Sequence, residues 1–111
     1  MKFTTFGSTG LRVSELALGG MTIGNAWGWG TEKEMSIKIF NKFTDEGGNF
    51  IDTSCNYQDG QSEKIIGELV KGNRDNYVIA TKFTLHDFKK KMIQMQEITL
   101  EKIFYDQLKG V

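Results

Sequence analysis

Residues 49–63 read NFIDTSCNYQDGQSE, and the predicted fold is arranged around this stretch. A short apolar strand is expected to end at Asp52, and the polar loop that follows carries Tyr57. The apolar run at residues 77–80 predicts a second strand, and Lys82 comes shortly after it. Functional groups of a parallel α/β sheet gather at the carboxyl ends of its strands. We therefore expect an acid, a phenol and an amine to lie together there.

The N-terminal residues predict a hairpin followed by a strand. Two β-prone segments, residues 2–6 and 11–13, flank a glycine-bounded turn at residues 7–10. Residues 16–18 are short and apolar, and two glycines then interrupt them. We expect residues 16–18 to form a buried strand that ends in a loop.

Two helices are predicted between the later strands. Thr31 and Glu34 form a capping-box pattern, which predicts the start of the first helix. Its apolar face is predicted to contain Met35, Ile39, Phe40 and Phe43. The glycine pair at 47–48 is expected to end this helix. The second helix is predicted over residues 62–71, with Gly72 after it. Its inner face is predicted to contain Ile65, Ile66, Leu69 and Val70.

The order of these elements predicts a parallel α/β sheet. The run at residues 77–80 is continuously apolar, which is typical of a strand covered on both faces. Strands that alternate with helices favour parallel pairing through right-handed crossovers. The remaining residues lack glycine and proline from 87 to 107 and predict helical structure.

Length and composition restrict the function classes. A chain of 111 residues forms one small domain, and 39% hydrophobic with 25% charged residues is typical of a globular protein. A net charge of zero argues against partners held by bulk electrostatics, so neither nucleic acid nor a membrane is expected. No apolar run is long enough to span a bilayer, and the N-terminus lacks a signal-peptide core. With a single cysteine, these features favour a cytoplasmic protein.

Asp52, Tyr57 and Lys82 are candidates for proton transfer. An ammonium beside a tyrosine stabilises its phenolate, and a carboxylate keeps that ammonium charged and oriented. The three residues could then give a proton to a carbonyl oxygen or take one from an alcohol. Each residue alone also has an ordinary explanation: a turn-forming aspartate, a packing tyrosine and a solvated lysine.

Other reactive or aromatic residues have weaker functional interpretations. From the sequence, we interpret Cys55 as a small buried residue rather than a nucleophile. His86 is followed by an aspartate, but a surface or helix-capping role is favoured. Trp27 and Trp29 either line an aromatic substrate pocket or lie in a mobile covering loop, and both alternatives stay open. The lysines at 89–91 are interpreted as a solvated helix face, and no metal-ligand or phosphate-binding motif is present.

Three separated motifs resemble the N-terminal part of the aldo-keto reductases, particularly the fungal aryl-alcohol dehydrogenase branch. They are GLRVSELALGGMTIG (10–24), EGGNFIDTSCNYQDGQSEKIIGELV (46–70) and YVIATKF (77–83). The resemblance covers about residues 7–84, and the motifs occur in the family's order. It implies a (β/α)8 TIM barrel that interconverts aldehydes or ketones and alcohols with NADP(H).

The resemblance also implies roles for particular residues. Tyr57 resembles the family's general acid, and Asp52 and Lys82 resemble the pair that acidifies it. The substrate is implied to be a small-molecule carbonyl compound or alcohol. The implied cofactor-binding residues, near the nicotinamide ribose, are Gly20, Met21, Thr22 and Asp52.

The resemblance ends before the family's catalytic histidine, which follows the fourth strand. We do not transfer that role to His86, because no apolar strand precedes it. The expected architecture is an incomplete TIM barrel: residues 1–84 supply the hairpin and about three βα units, and residues 85–111 form a divergent helical tail. Such a chain is expected to be weakly active or inactive alone. The alternative is a non-catalytic remnant that binds partner chains, or itself, through exposed barrel surface.

Overall fold

An antiparallel hairpin begins the chain. The computed structural model describes residues 1–82; the helical tail, His86 and the lysines at 89–91 lie outside the described residues. Strand β1 (Phe3–Thr5) pairs with β2 (Arg12–Ser14). The turn between them is closed by the hydroxyl of Thr9, which donates a hydrogen bond to the carbonyl of Phe6 at 2.6 Å. The predicted hairpin is confirmed.

Three parallel strands form the sheet that carries the site. They are β3 (Ala17–Gly19), β4 (Phe50–Asp52) and β5 (Val78–Ala80), in the spatial order β3-β4-β5. The register aligns the last residues of the three strands, Gly19, Asp52 and Ala80. The chain therefore leaves all three strands at the same edge of the sheet, as expected for the predicted α/β class.

Helices connect the parallel strands. Helix α1 (Lys33–Asp45) lies between β3 and β4, and α2 (Gln61–Val70) lies between β4 and β5. Short 3-10 turns occupy Tyr57–Gly60 and Arg74–Asn76. At the end of α1, Gly47 has φ +92°, and the Gly48 amide donates to the carbonyl of Phe43 at 2.9 Å. This is a Schellman cap, so the predicted end of α1 at residues 47–48 is confirmed.

The hydrophobic core lies where the two helices meet the sheet. Ile51 on the central strand is fully buried, and it belongs to the same core cluster as residues of both helices. The core contains Ile23, Phe40, Ile51, Ile65, Ile66 and Val70. The predicted inner face of α2 is thus confirmed. Within residues 1–82, no helix is both long and apolar enough to cross a membrane.

The start and the apolar face of α1 differ from the prediction. The backbone of Thr31 pairs with the preceding loop, since its amide lies 2.7 Å from the Thr22 carbonyl. This pairing delays the helix to Lys33, without a side-chain cap. Met35 and Ile39 are 51% and 41% exposed, so the predicted stripe was wrong at these two positions.

Two strands are less covered than their apolar sequences predicted. Leu16 is 66% exposed, and all of Val78–Ala80 is only half-buried. Both β3 and β5 lie at the edges of the described sheet, whereas β4 lies between them. The expectation that residues 77–80 are covered on both faces was therefore wrong for this edge strand.

Candidate active site

The register of β4 and β5 places Asp52 and Lys82 on the same edge of the sheet. Asp52 is the last residue of β4, and Lys82 follows β5 by two residues. The chain after β4 continues alongside the chain after β5. The amide of Thr53 donates to the Ala80 carbonyl at 2.8 Å, and the amide of Cys55 donates to the Lys82 carbonyl at 3.0 Å. These backbone bonds fix the polar loop against the end of β5.

The ammonium of Lys82 is the centre of the site. Its Nζ lies 3.2 and 3.1 Å from the two carboxylate oxygens of Asp52, 3.0 Å from the Thr53 carbonyl and 3.1 Å from the Tyr57 hydroxyl. An ammonium has three hydrogens and no acceptor, so every partner must accept. One hydrogen is shared by the carboxylate and the other two go to the carbonyl and the hydroxyl. The donors of Lys82 are thus fully used, which determines its position.

This bonding leaves the hydrogen of the Tyr57 hydroxyl available. Because the Tyr57 oxygen accepts from Lys82, its own hydrogen must point to another acceptor. The side chains of Lys82 and Asp52 are 38% and 44% exposed, and Tyr57 is half-buried. A small molecule can therefore approach the hydroxyl from the open side.

The lysine stays charged in this environment. Partial burial lowers the pKa of Lys82, but hydrogen bonds to Tyr57 and Asp52 and the charge of Asp52 outweigh it. The net result is a Lys82 pKa raised above its ordinary value of 10.5. At neutral pH a fixed positive charge therefore lies next to the phenol oxygen.

The residues expected at the cofactor ribose lie beside this network. Gly20 is buried, and its amide donates to the Asp52 carbonyl at 2.7 Å. A Cβ on Gly20 would lie 2.8 Å from the hydroxyl oxygen of Ser62, so only glycine fits here without movement. Met21 and Thr22, which follow Gly20 in the chain, are exposed. Gly20 thus contributes close packing, while the other three residues offer accessible surface.

A loop of aromatic residues covers one side of Tyr57. The ring of Trp27 meets that of Tyr57 edge to face, with 6.5 Å between centroids. Trp27 also stacks at a tilt on Trp29, at 5.5 Å, and Trp29 is 51% exposed. The structure therefore places Trp27 against the Tyr57 ring and Trp29 against Trp27. Whether they contact a substrate stays a prediction.

Sequence reasoning missed the residues that hold this loop. Gln58 is fully buried. Its side chain forms hydrogen bonds with the Met21 carbonyl and with the Trp27 amide. Gln61 accepts from two further loop amides. The only signal was the polar run QDGQ at residues 58–61, which was interpreted as a simple loop.

Other candidate residues are placed as follows. Cys55 is 4% exposed, which confirms that it is buried; its lack of reactivity stays a prediction. Among residues 1–82, no three His, Cys, Asp or Glu side chains are grouped closely enough to hold a metal ion.

The fold and the site define an α/β protein with an acid–phenol–amine cluster at the carboxyl edge of a parallel sheet. This chain belongs to the aldo/keto reductase family, whose family model matches residues 15–109. The match extends past the motif-bearing range of residues 7–84. The predicted boundary between the barrel part and the helical tail stays a prediction.

Known relatives agree with this assignment. The chain is 51% identical to the aryl-alcohol dehydrogenase (NADP(+)) of Phanerodontia chrysosporium over 82 residues, covering 68% of this chain and 21% of that protein. It is 51% identical to an aryl-alcohol dehydrogenase of Pestalotiopsis microspora over 83 residues, covering 70% and 22%. The predicted resemblance to fungal aryl-alcohol dehydrogenases is confirmed. The chain spans about a fifth of the length of both relatives.

A solved structure shares the fold. The holo form of an aldo-keto reductase from Bacillus halodurans superposes with a TM-score of 0.64 at 32% identity. The superposition covers 73% of this chain and 25% of that protein.

Proposed function

We propose that this chain takes part in NADP(H)-dependent interconversion of aldehydes or ketones and alcohols, with aryl compounds as the substrate class. In this proposal β3, β4 and β5 are the first strands of a TIM barrel. The main observation in support of this proposal is that the Lys82 ammonium contacts both the Tyr57 hydroxyl and the Asp52 carboxylate. The family assignment and the NADP(+)-named relative support the cofactor.

In the reducing direction, Tyr57 donates a proton to the carbonyl oxygen of the substrate. Its free hydroxyl hydrogen first hydrogen-bonds to that oxygen and is then transferred to it. The phenolate left behind lies 3.1 Å from the Lys82 ammonium, whose charge stabilises it. Asp52 keeps Lys82 charged and aimed at Tyr57. In the oxidising direction, the phenolate takes the proton from the alcohol.

The residues present fit a nicotinamide cofactor. The Asp52 carboxylate is 44% exposed, so it can accept hydrogen bonds from sugar hydroxyls as well as from Lys82. Met21 and Thr22 are exposed and directly follow Gly20, whose amide donates to the Asp52 carbonyl. When bound, a reduced nicotinamide would supply hydride to the carbonyl carbon. The chain's own residues supply the proton and hold the dinucleotide's ribose.

Support for aryl substrates comes from the two tryptophans. Trp27 contacts the ring of Tyr57, whose hydroxyl would bind the carbonyl oxygen, and Trp29 extends this aromatic surface. Aromatic rings prefer offset or edge-to-face contact with other rings. An aryl aldehyde can therefore place its carbonyl at Tyr57 and its ring against this surface.

The test measures reduction of an aromatic aldehyde by NADPH with the whole chain. Tyr57→Phe should reduce the rate by roughly 100-fold or more, because general acid catalysis contributes about 10²–10⁴-fold. Tyr77→Phe is the matched control, since the Tyr77 ring packs on Phe40 at 5.4 Å, in the core. Equal rates for the two variants would overturn the role of Tyr57.

Cofactor binding is tested separately by NADPH fluorescence. We expect saturable binding that is weakened by Asp52→Ala and unchanged by Asp45→Ala, an exposed position at the end of α1. The absence of saturable binding would contradict the oxidoreductase proposal.

A second candidate function is the binding of partner chains through apolar surface. Its specific observation is the exposure of Met35 and Ile39, one turn apart on α1. Sedimentation of the wild type and of a Met35→Lys, Ile39→Lys double variant tests it. Self-association that the double variant abolishes would support this function, and a concentration-independent monomer would argue against a second copy as the partner.

A further inference from the structure

One segment carries both the proton donor and the support of the aromatic loop. We define the aromatic loop as residues 21–30, which contain both tryptophans of the chain. Tyr57 contacts Lys82 on one side. The next residue, Gln58, is fully buried, and its side chain forms hydrogen bonds with the aromatic loop.

Gln58 forms hydrogen bonds with the aromatic loop at two separate positions, one with each half of its amide. Its Nε2 donates to the carbonyl of Met21 at 3.0 Å. Its Oε1 accepts from the amide of Trp27 at 3.0 Å. Buried amides lose stability when their partners are removed, so both contacts restrict the loop. A side chain that only accepts, or only donates, can keep just one of them.

Three further contacts come from the same segment. Oε1 of Gln61 accepts from the amides of Asn25 and Ala26 at 2.8 and 3.1 Å. Oδ1 of Asp59 accepts from the indole nitrogen of Trp27 at 3.0 Å. The aromatic loop is therefore held through its backbone and through the Trp27 ring.

The backbone of this segment is unusual in a way that suits the role. Gln58 and Asp59 have φ of +52° and +56°, in the left-handed region that side chains with a Cβ rarely adopt. Two successive residues in this region turn the chain sharply directly after Tyr57. Strained backbone that is held in place by surrounding contacts is concentrated at functional sites.

We propose that Gln58 is a positioning residue that fixes the aromatic loop relative to the Tyr57 hydroxyl and thereby sets the preference for aryl over straight-chain substrates. This inference rests on the proposed function for its substrate. Its structural part, that Gln58 holds the aromatic loop, can be measured without any catalytic activity. Because Tyr57 and Gln58 are adjacent in the chain, the position of the substrate's carbonyl group at Tyr57 is linked to the position of the Trp27 ring.

The first measurement is acrylamide quenching of tryptophan fluorescence, which reports only on the aromatic loop because both tryptophans lie in it. Gln58→Met keeps the side-chain volume and removes both hydrogen bonds. It should raise the quenching constant clearly above wild type. Gln61→Glu is the control, since its carboxylate keeps the acceptor that Asn25 and Ala26 use. If Gln58→Met does not fold, as judged by circular dichroism, Gln61→Ala replaces it and should raise quenching as well.

The second measurement compares kcat/KM for an aromatic and a straight-chain aldehyde. One neutral hydrogen bond shifts an equilibrium by roughly fivefold, so Gln58→Met, which loses two, should lower the aryl preference by up to roughly 25-fold. The change should lie in KM for the aryl aldehyde, with kcat for the straight-chain aldehyde nearly unchanged. An unchanged quenching constant, or equal losses for both aldehydes, would overturn the inference. A wild-type chain that reduces neither aldehyde contradicts the proposed function, while quenching still decides whether Gln58 holds the loop.

Discussion

Replacing Lys82 by methionine removes the charge next to Tyr57 while keeping a long apolar side chain. In the proposed mechanism this charge stabilises a phenolate 3.1 Å away. At that separation, Coulomb attraction is about 1.3 kcal/mol in water and about 5 kcal/mol at an effective dielectric constant of about 20. The lysine side chain is 38% exposed, so its interaction lies between these limits. We therefore expect the variant to lose about 3 kcal/mol of transition-state stabilisation, or roughly 100-fold in rate.

The assay is single-turnover reduction of an aromatic aldehyde at saturating NADPH, which isolates the chemical step. Lys42→Met is the matched control, because Lys42 forms an exposed ion pair with Glu46, at 2.7 Å, at the end of α1. This control should leave the rate unchanged, since isolated surface pairs contribute little. Melting curves must show that both variants are folded.

A folded Lys82→Met variant that keeps the wild-type rate within about threefold, a difference of under about 1 kcal/mol, would refute the reasoning. The ammonium would then be a structural element that ties Asp52 to the polar loop, and Tyr57 would need no acidifying partner. A loss in NADPH affinity with no loss in the chemical step would lead to the same conclusion, because it would assign the charge to binding.

Three further predictions concern pH and stability. NMR titration should find the pKa of Lys82 above 10.5, because burial lowers this pKa but the Tyr57 hydroxyl and the Asp52 carboxylate raise it by more. In Tyr57→Phe the pKa of Lys82 should be lower than in the wild type, and an unchanged pKa would contradict this cause. Since the folded-state pKa is raised, the stability from this lysine is present below pH 10.5 and lost as pH rises through the raised value. Glu63 is 8% exposed and accepts a hydrogen bond from the Thr81 hydroxyl at 2.6 Å. In denaturant unfolding, Glu63→Ala should lower the free energy of unfolding by about 2 kcal/mol, and Glu63→Gln should lower it clearly less. Equal losses for the two variants would show that this hydrogen bond is not important. Gly47→Ala should lower unfolding free energy by about 1 kcal/mol, because φ is +92° there; no change would refute the cap.

The sheet and its order could be predicted because short-range signals agree with one another. Glycine pairs, apolar runs and helical stripes all indicated the same alternation, and the register of parallel strands then brought Asp52 and Lys82 to one edge. Burial was predicted less well. The apolar sequences of Leu16 and of residues 77–80 indicate what a strand can bury, whereas its place in the sheet decides what it does bury.

The support of the aromatic loop could not be predicted for a different reason. Gln58 follows Tyr57 in a polar run, and its burial depends on a left-handed backbone at two residues that are not glycine. Sequence preferences assign such conformations to glycine or asparagine. A glutamine in this place carries no local signal, because its partners are backbone groups 31 and 37 residues away.

The polar loop after β4 is therefore more than a link that presents a tyrosine. Within residues 1–82, every hydrogen-bond partner of the Lys82 ammonium lies between Asp52 and Tyr57. The side-chain anchors of the aromatic loop lie at positions 58, 59 and 61. Because Tyr57 and Gln58 are adjacent, a substitution that relaxes the left-handed turn should disturb proton transfer and ring placement together. One that removes only the Gln58 amide should disturb ring placement alone. That separation distinguishes a site built from two coupled halves from a tyrosine that happens to lie beside two tryptophans.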